Sequence, residues 1–165
     1  MGALARTLIT VAVTLALASC TREPEAEPPQ PDTASSALST EFEGIATVAD
    51  GDTLRIDGRR IRLHGIDDPR QGGMCGALNV YRAAAQELRE ATGNQVVRCT
   101  IADLPDGSGV HVARCRVQDA DLGEHMISAG LARSRGGAYA EAEAQARAER
   151  RGVWAQNCAA DLWND

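Results

Sequence analysis

Three charged residues whose types could do chemistry, Asp52, Arg62 and Asp67, surround one short stretch of the chain. Leu54 and Ile56 alternate with polar residues, Ile61 and Leu63 do the same, and Asp57-Gly58 between the two runs is a strong signal for a two-residue hairpin turn. A hairpin folded there returns the chain to where it began. Asp52, before the first strand, and Asp67, after the second, then meet at one end of the ladder with Arg62 beside them. Carboxylates gathered in this way suit a hard cation such as calcium, and an arginine fork suits a phosphate. The same spacing also describes a plain hairpin with solvated acidic turns, the commoner case, so spacing alone leaves both readings open.

The residue identities go further. Gly51-Asp52-Thr53 followed by Arg62-Leu63-His64-Gly65-Ile66-Asp67-Asp68-Pro69 resembles the signature of the staphylococcal nuclease (thermonuclease) family. Downstream, Val97-Arg98-Cys99, Val112-Ala113-Arg114-Cys115, Asp121-Leu122, Gly130-Leu131-Ala132, Tyr139 with Glu143, and Arg151-Gly152-Val153-Trp154 follow in the family's order, so the resemblance runs from about Glu43 to Trp154. It implies a mainly β fold with helices, a five-stranded OB-type barrel carrying three helices. It also implies calcium-dependent cleavage of DNA and RNA phosphodiesters, with calcium held by Asp52, Asp67 and the carbonyl of Asp68, and the scissile phosphate by Arg62.

Two positions depart from that pattern. The family's general-base glutamate falls on Arg70, and its second arginine, before the last strand, falls on Val110 in the stretch Asp106-Gly107-Ser108-Gly109-Val110. A guanidinium that stays charged cannot take a proton from attacking water, and valine offers no charge to a developing phosphorane. Arg114, four extended residues beyond Val110, is about 13 Å away and cannot stand in. Arg70 has two readings, an internal salt bridge to Asp52 and Asp67 that makes calcium unnecessary, or a side chain in water. The family's base-stacking tyrosines are missing too, since the segment reads Ala132-Arg133-Ser134-Arg135-Gly136-Gly137-Ala138 and Tyr139 reads as a packing residue. The expectation is a family member with lost or impaired phosphodiesterase activity that acts as a binding or structural module. The alternative is an active calcium-dependent nuclease with a rearranged base.

Charge points the same way. The formal net charge is −6, all seventeen basic residues are arginines, and residues 41–165 hold 15 of them against 19 acidic residues. Proteins that live on phosphate backbones usually show a basic excess, so nucleic acid is a possible but disfavoured partner despite the cluster Arg55, Arg59, Arg60 and Arg62 and the smaller one of Arg133 and Arg135. An envelope protein or glycan, bound by a monomer, is the favoured expectation.

The first 19 residues carry Arg6 and then an apolar run from Leu8 to Ala18, too short for a stable membrane span. The ending Leu17-Ala18-Ser19-Cys20 resembles the lipobox of bacterial lipoproteins, which implies a signal peptide over 1–19 and a lipidated Cys20 that anchors the chain to a membrane. Residues 20–40 are rich in Pro, Glu, Ser and Thr without apolar periodicity, and read as a disordered tether before a domain over 41–165. Thr21 resembles the sorting pattern for the outer membrane, facing the periplasm. Setting Cys20 aside leaves four cysteines in an oxidising compartment. Cys99 and Cys115 lie on strands expected to pair, which leaves Cys75 for Cys158; related exported family members often place a second cysteine in a Tyr-x-Cys-Gly context, here Tyr81-Arg82-Ala83-Ala84. Helices are expected over about 79–92, from a cap at Asp121 to about 129, and over 138–151, with strands at 95–101 and 110–117.

Overall fold

The computed structural model describes residues 40–103, 109–155, 158 and 161–163. The expected leader, lipidated Cys20, tether and Asp106-Gly107-Ser108 lie outside them. The chain starts with β1 (Glu41–Ile45) and β2 (Thr47–Val48), then the hairpin β3 (Thr53–Ile56) and β4 (Arg59–Leu63), and the short β5 (Ile66–Asp67). A two-strand ribbon, β6 (Met74–Cys75) and β7 (Leu78–Asn79), leads into α1 (Val80–Thr92). The long strands β8 (Val96–Asp103) and β9 (His111–Val117) follow, then β10 (Ala120–Asp121), α2 (Leu122–Ser128), β11 (Arg133–Ser134) and α3 (Ala140–Ala148).

The sheet order is β1-β8-β9-β4-β3-β2, with β10 on β9. Because β1 and β2 are consecutive, one chain segment borders both ends of this path and curls the sheet into a five-stranded OB-type barrel. The pairing of β4 with β9 is the parallel one, with Ile61 opposite His111 and Arg62 opposite Val112. Inward residues alternate with outward ones, as strand geometry requires. Leu54, Ile56, Ile61, Leu63, Val97, Cys99, Ala113, Cys115 and Val117 are buried, while Arg55, Arg60, Arg62, Arg98, Arg114 and Arg116 face out.

The hairpin turn is where its residues put it. Asp57 and Gly58 both have positive φ, 49° and 79°, the backbone that the right-handed twist of a two-residue turn demands. Helix α1 buries Val80, Ala84 and Leu88, four residues apart and so on one face. The Asn79 side chain accepts from Arg82 N–H at 3.0 Å and a left-handed Gly93 ends the helix. Asp121 caps α2 by accepting from Glu124 N–H at 3.0 Å. Helix α3 is shorter than expected at both ends: the Tyr139 side chain makes no capping bond, and the chain turns away after Glu149 through Arg150, whose φ is 55°.

Two disulfides brace the domain. Cys99 and Cys115 join directly opposed partners of β8 and β9. Cys75 and Cys158 join the ribbon before α1 to the C-terminal residues, 83 positions away.

Candidate functional site

The β3–β4 hairpin sets the site's frame. Thr53 lies opposite Arg62, and Leu63 N–H donates to the Asp52 carbonyl at 2.8 Å, so the residues flanking the two strands share one end of the barrel. Gly51 is pressed against α1: a Cβ there would come within 2.7 Å of the Ala84 Cβ. Only glycine lets the turn seat so close to the helix, and that seating aims the carboxylates on either side of it, Asp50 and Asp52.

Three carboxylates converge. Oxygens of Asp50, Asp52 and Asp68 lie within 4.8 Å of one another. Two ligands about 2.3–2.6 Å from one calcium ion can be at most about 5 Å apart, so the spacing suits a single hard cation. Asp52 is only 6 % exposed; it accepts from Thr53 Oγ1 at 2.6 Å and pairs with Arg62 Nε at 3.2 Å. Asp50 Oδ1 is buried and meets no hydrogen-bond donor among the described residues, which leaves an acceptor free for a cation.

The electrostatics register the crowding. Burial, then repulsion from Asp52 and Asp50, pushes Asp68 up to about 7, against the lowering effect of a Gly51 N–H bond. Burial also raises Asp52 to about 6, opposed by the Thr53 hydrogen bond and the Arg62 charge. Both groups titrate near ~3.9 in an unfolded chain. Between about pH 4 and pH 7 the folded, cation-free protein therefore binds more protons than the unfolded chain. Its stability falls as pH rises through that window and levels off above it. A calcium ion bound there would replace those protons, so its stabilising effect would grow over the same range. Thermal unfolding with calcium or with chelator should show a clear midpoint gap at pH 8 and almost none at pH 5; a gap of equal size at both would contradict this assignment.

The structure distributes the sequence-designated residues unevenly. Asp52 and Arg62 stand together. Asp68 joins them through its side chain, where its carbonyl was the expected ligand. Asp67, the other expected ligand, faces Arg133 and Arg135 instead: Oδ2 lies 3.2 Å from Arg133 Nε, and Oδ1 lies 3.4 Å from Arg135 Nη1. The reason is local geometry. Asp67 sits in β5, paired residue for residue with Arg133 of β11, and neighbouring residues of an extended chain point to opposite sides. Asp67 and Asp68 therefore divide between two surfaces, and Asp50 completes the cluster.

Arg70 makes no described ion pair with Asp52 or Asp67; its side chain is exposed, yet it has a protein partner. Its Nε donates to the Asp161 carbonyl at 2.7 Å and its backbone N–H to the Leu162 carbonyl at 2.7 Å. The side chain at the family's base position thus fastens the C-terminal residues, beside the Cys75–Cys158 bond. Val110 lies just before β9, partly buried, two residues ahead of the Val112 that faces Arg62. Arg114 Nη1 reaches the Tyr139 hydroxyl at 3.4 Å, and that hydroxyl donates to Asp121 at 3.0 Å, so both belong to the α2 support.

Asp50 was not singled out from the sequence, and Arg133 and Arg135 were read only as a small basic cluster. Asp50-Gly51-Asp52 carries the signal for the first, two carboxylates around a glycine. Arg133 and Arg135 alternate at strand spacing, but only the pairing with β5 shows what they face.

Residues 60–156, more than half of the chain, match the family model described as staphylococcal nuclease homologue. No curated protein matches the chain.

Proposed function

The chain belongs to the staphylococcal nuclease homologue family, and on that premise we propose that it has lost phosphodiesterase chemistry while keeping a face that binds calcium and a phosphate group. It then works as a binding module, held at the periplasmic face of the outer membrane through lipidated Cys20.

One observation carries the reading: Arg70, at the base position, is committed to the Asp161 carbonyl 91 residues along the chain. Hydrolysis needs a group that receives the proton of the attacking water. Nothing at position 70 or 110 can do so. What remains is suited to holding a ligand. Asp50, Asp52 and Asp68 would hold calcium, which supplies positive charge for a phosphate oxygen. Arg62, with its side chain 49 % exposed, is anchored to Asp52 at one edge and offers the rest of its fork to solvent.

The alternative, an active calcium-dependent nuclease, has one observation in its favour: the Asp68 carboxyl is held near pH 7, where a general base works well. Against it, Asp68 lies inside the cation cluster, where its oxygens serve as ligands rather than proton acceptors.

Calorimetric titration of calcium into the full-length protein and its Asp52→Asn variant tests the binding half of the proposal. The wild type should bind one equivalent and the variant at least tenfold more weakly. Equal binding by both would remove the site from the place assigned to it.

A further inference from the structure

Arg62 borders the carboxylate cluster on one side and a cleft of about 380 Å³ on the other, which Arg62, His64, Asp103, Val112, Arg135 and Gly136 help to line. We propose that Arg135 reaches into this cleft from the turn after β11 and closes with Arg62 on a single phosphate group. It would thereby supply the second positive charge that Val110 cannot. This rests on the reading of the site as a phosphate-binding face.

Placement is the first support. Strand β11 pairs with β5, Ser134 opposite Ile66, and Arg135 N–H donates to the Gly65 carbonyl at 2.8 Å. Gly65 is only three residues beyond Arg62, so the backbones of the two arginines are held together by a hydrogen-bonded ladder rather than by a free loop. Val112 beside Arg62 adds an apolar wall that fixes the cleft's width.

The second support is how Asp67 is shared. It carries one negative charge and faces two guanidinium groups. Arg133 is the anchored one: 26 % exposed, 3.2 Å from Oδ2, and with its guanidinium carbon 5.5 Å from the centre of the Trp163 ring. Arg135 is 61 % exposed and makes a longer contact, 3.4 Å to Oδ1. Its charge is therefore in excess of what Asp67 needs, and the contact aims the side chain without consuming it.

The third support is chemical. Two planar forks arriving from different elements match the several oxygens of a tetrahedral phosphate, whereas a carboxylate is satisfied by one. The cleft also holds His64, whose Nδ1 is buried with no hydrogen-bond partner among the described residues. Asp103 opposes an anion from the same rim. Cation binding by the neighbouring cluster offsets that repulsion, so phosphate should bind more tightly with calcium than with chelator.

The experiment is titration of phenyl phosphate into the full-length protein with calcium in excess, for wild type, Arg135→Gln, Arg62→Gln and the double variant, with unfolding midpoints measured alongside. Each single change should weaken binding about tenfold or more, Arg135→Gln at an unaltered midpoint and Arg62→Gln at a lower one, because it strips the buried Asp52 carboxylate of its partner. The double variant should lose less than the product of the two, because both arginines act on one phosphate. Arg135→Lys, which keeps the charge and loses the fork, should fall between. Wild-type affinity in Arg135→Gln, with Arg62→Gln impaired, would overturn the inference and leave the phosphate-binding reading standing. Two equivalents bound by the wild type, with one of them lost in each single variant, would also overturn it, since that means two separate anion sites. No binding by the wild type would overturn the reading and the inference with it.

Discussion

Single-stranded DNA incubated with the full-length protein and calcium is expected to stay intact. The expected deficit is large because, on the proposed reading, two independent contributions are gone. A general base contributes about 10²–10⁴-fold, and a charged transition-state stabiliser about 10²–10³-fold. Together they place turnover at least about 10⁴-fold below that of a site possessing both, or about 5 kcal/mol of barrier. Arg135 does not change this expectation, since a guanidinium can bind a phosphate but cannot accept a proton. Reinstalling the base by Arg70→Glu should not restore turnover either. Arg70 donates to the Asp161 carbonyl, and a carboxylate in its place would face that oxygen with a lone pair. The variant should be less stable by about 1–2 kcal/mol, with its C-terminal residues loosened, and still inactive. A supercoiled-to-nicked plasmid assay or a fluorogenic oligonucleotide reads both the wild type and Arg70→Glu; calcium-dependent cleavage by the wild type that vanishes in Asp52→Ala would favour the active-nuclease alternative.

Replacing Cys75 and Cys158 together by serine should cost more stability than any surface change in the domain. The bond closes a segment of 83 residues, and the chain-entropy account of such a loop gives about 4–5 kcal/mol. That is a large part of the stability of an ordinary domain, and corresponds to a midpoint lower by roughly 15 °C. The bond Cys99–Cys115 spans only 16 positions between strands already in register, so its removal should cost less, about 3 kcal/mol. The larger loss has a local consequence as well. The Cys75–Cys158 bond and the Arg70 contacts both hold the C-terminal residues, where Leu162 is fully buried and Trp163 lies close to the Arg133 guanidinium. Freed of the bond, those residues should become the first site of proteolysis. Urea unfolding of the double variant measures the effect, and a loss below about 1 kcal/mol would contradict it.

The frame of the site was legible in the sequence, and its detailed composition was not. Asp57-Gly58 announces the hairpin because few residue pairs tolerate two successive positive φ values. Gly93 and Asp121 mark helix ends by equally local chemistry, so α1 and α2 came close to their expected spans. The barrel itself followed from the resemblance rather than from periodicity. What the sequence concealed depends on side-chain parity and on distant contacts. A single step past the end of β5 separates Asp67 from Asp68, and that step decides which carboxylate joins Asp52 and which meets Arg133. Arg70 finds its partner 91 residues downstream, beyond the reach of any local pattern. The shortening of α3 belongs to the same category, because an alanine-rich helical composition carries no stop of its own and the chain's turn at Arg150 supplies one.

The most direct measurement of the central claim, binding without cleavage, is a calorimetric calcium titration of the full-length protein with single-stranded DNA cleavage assayed in the same samples. Saturable calcium binding with intact DNA at every point is the expected result. DNA cleaved in proportion to the calcium-bound fraction would contradict it.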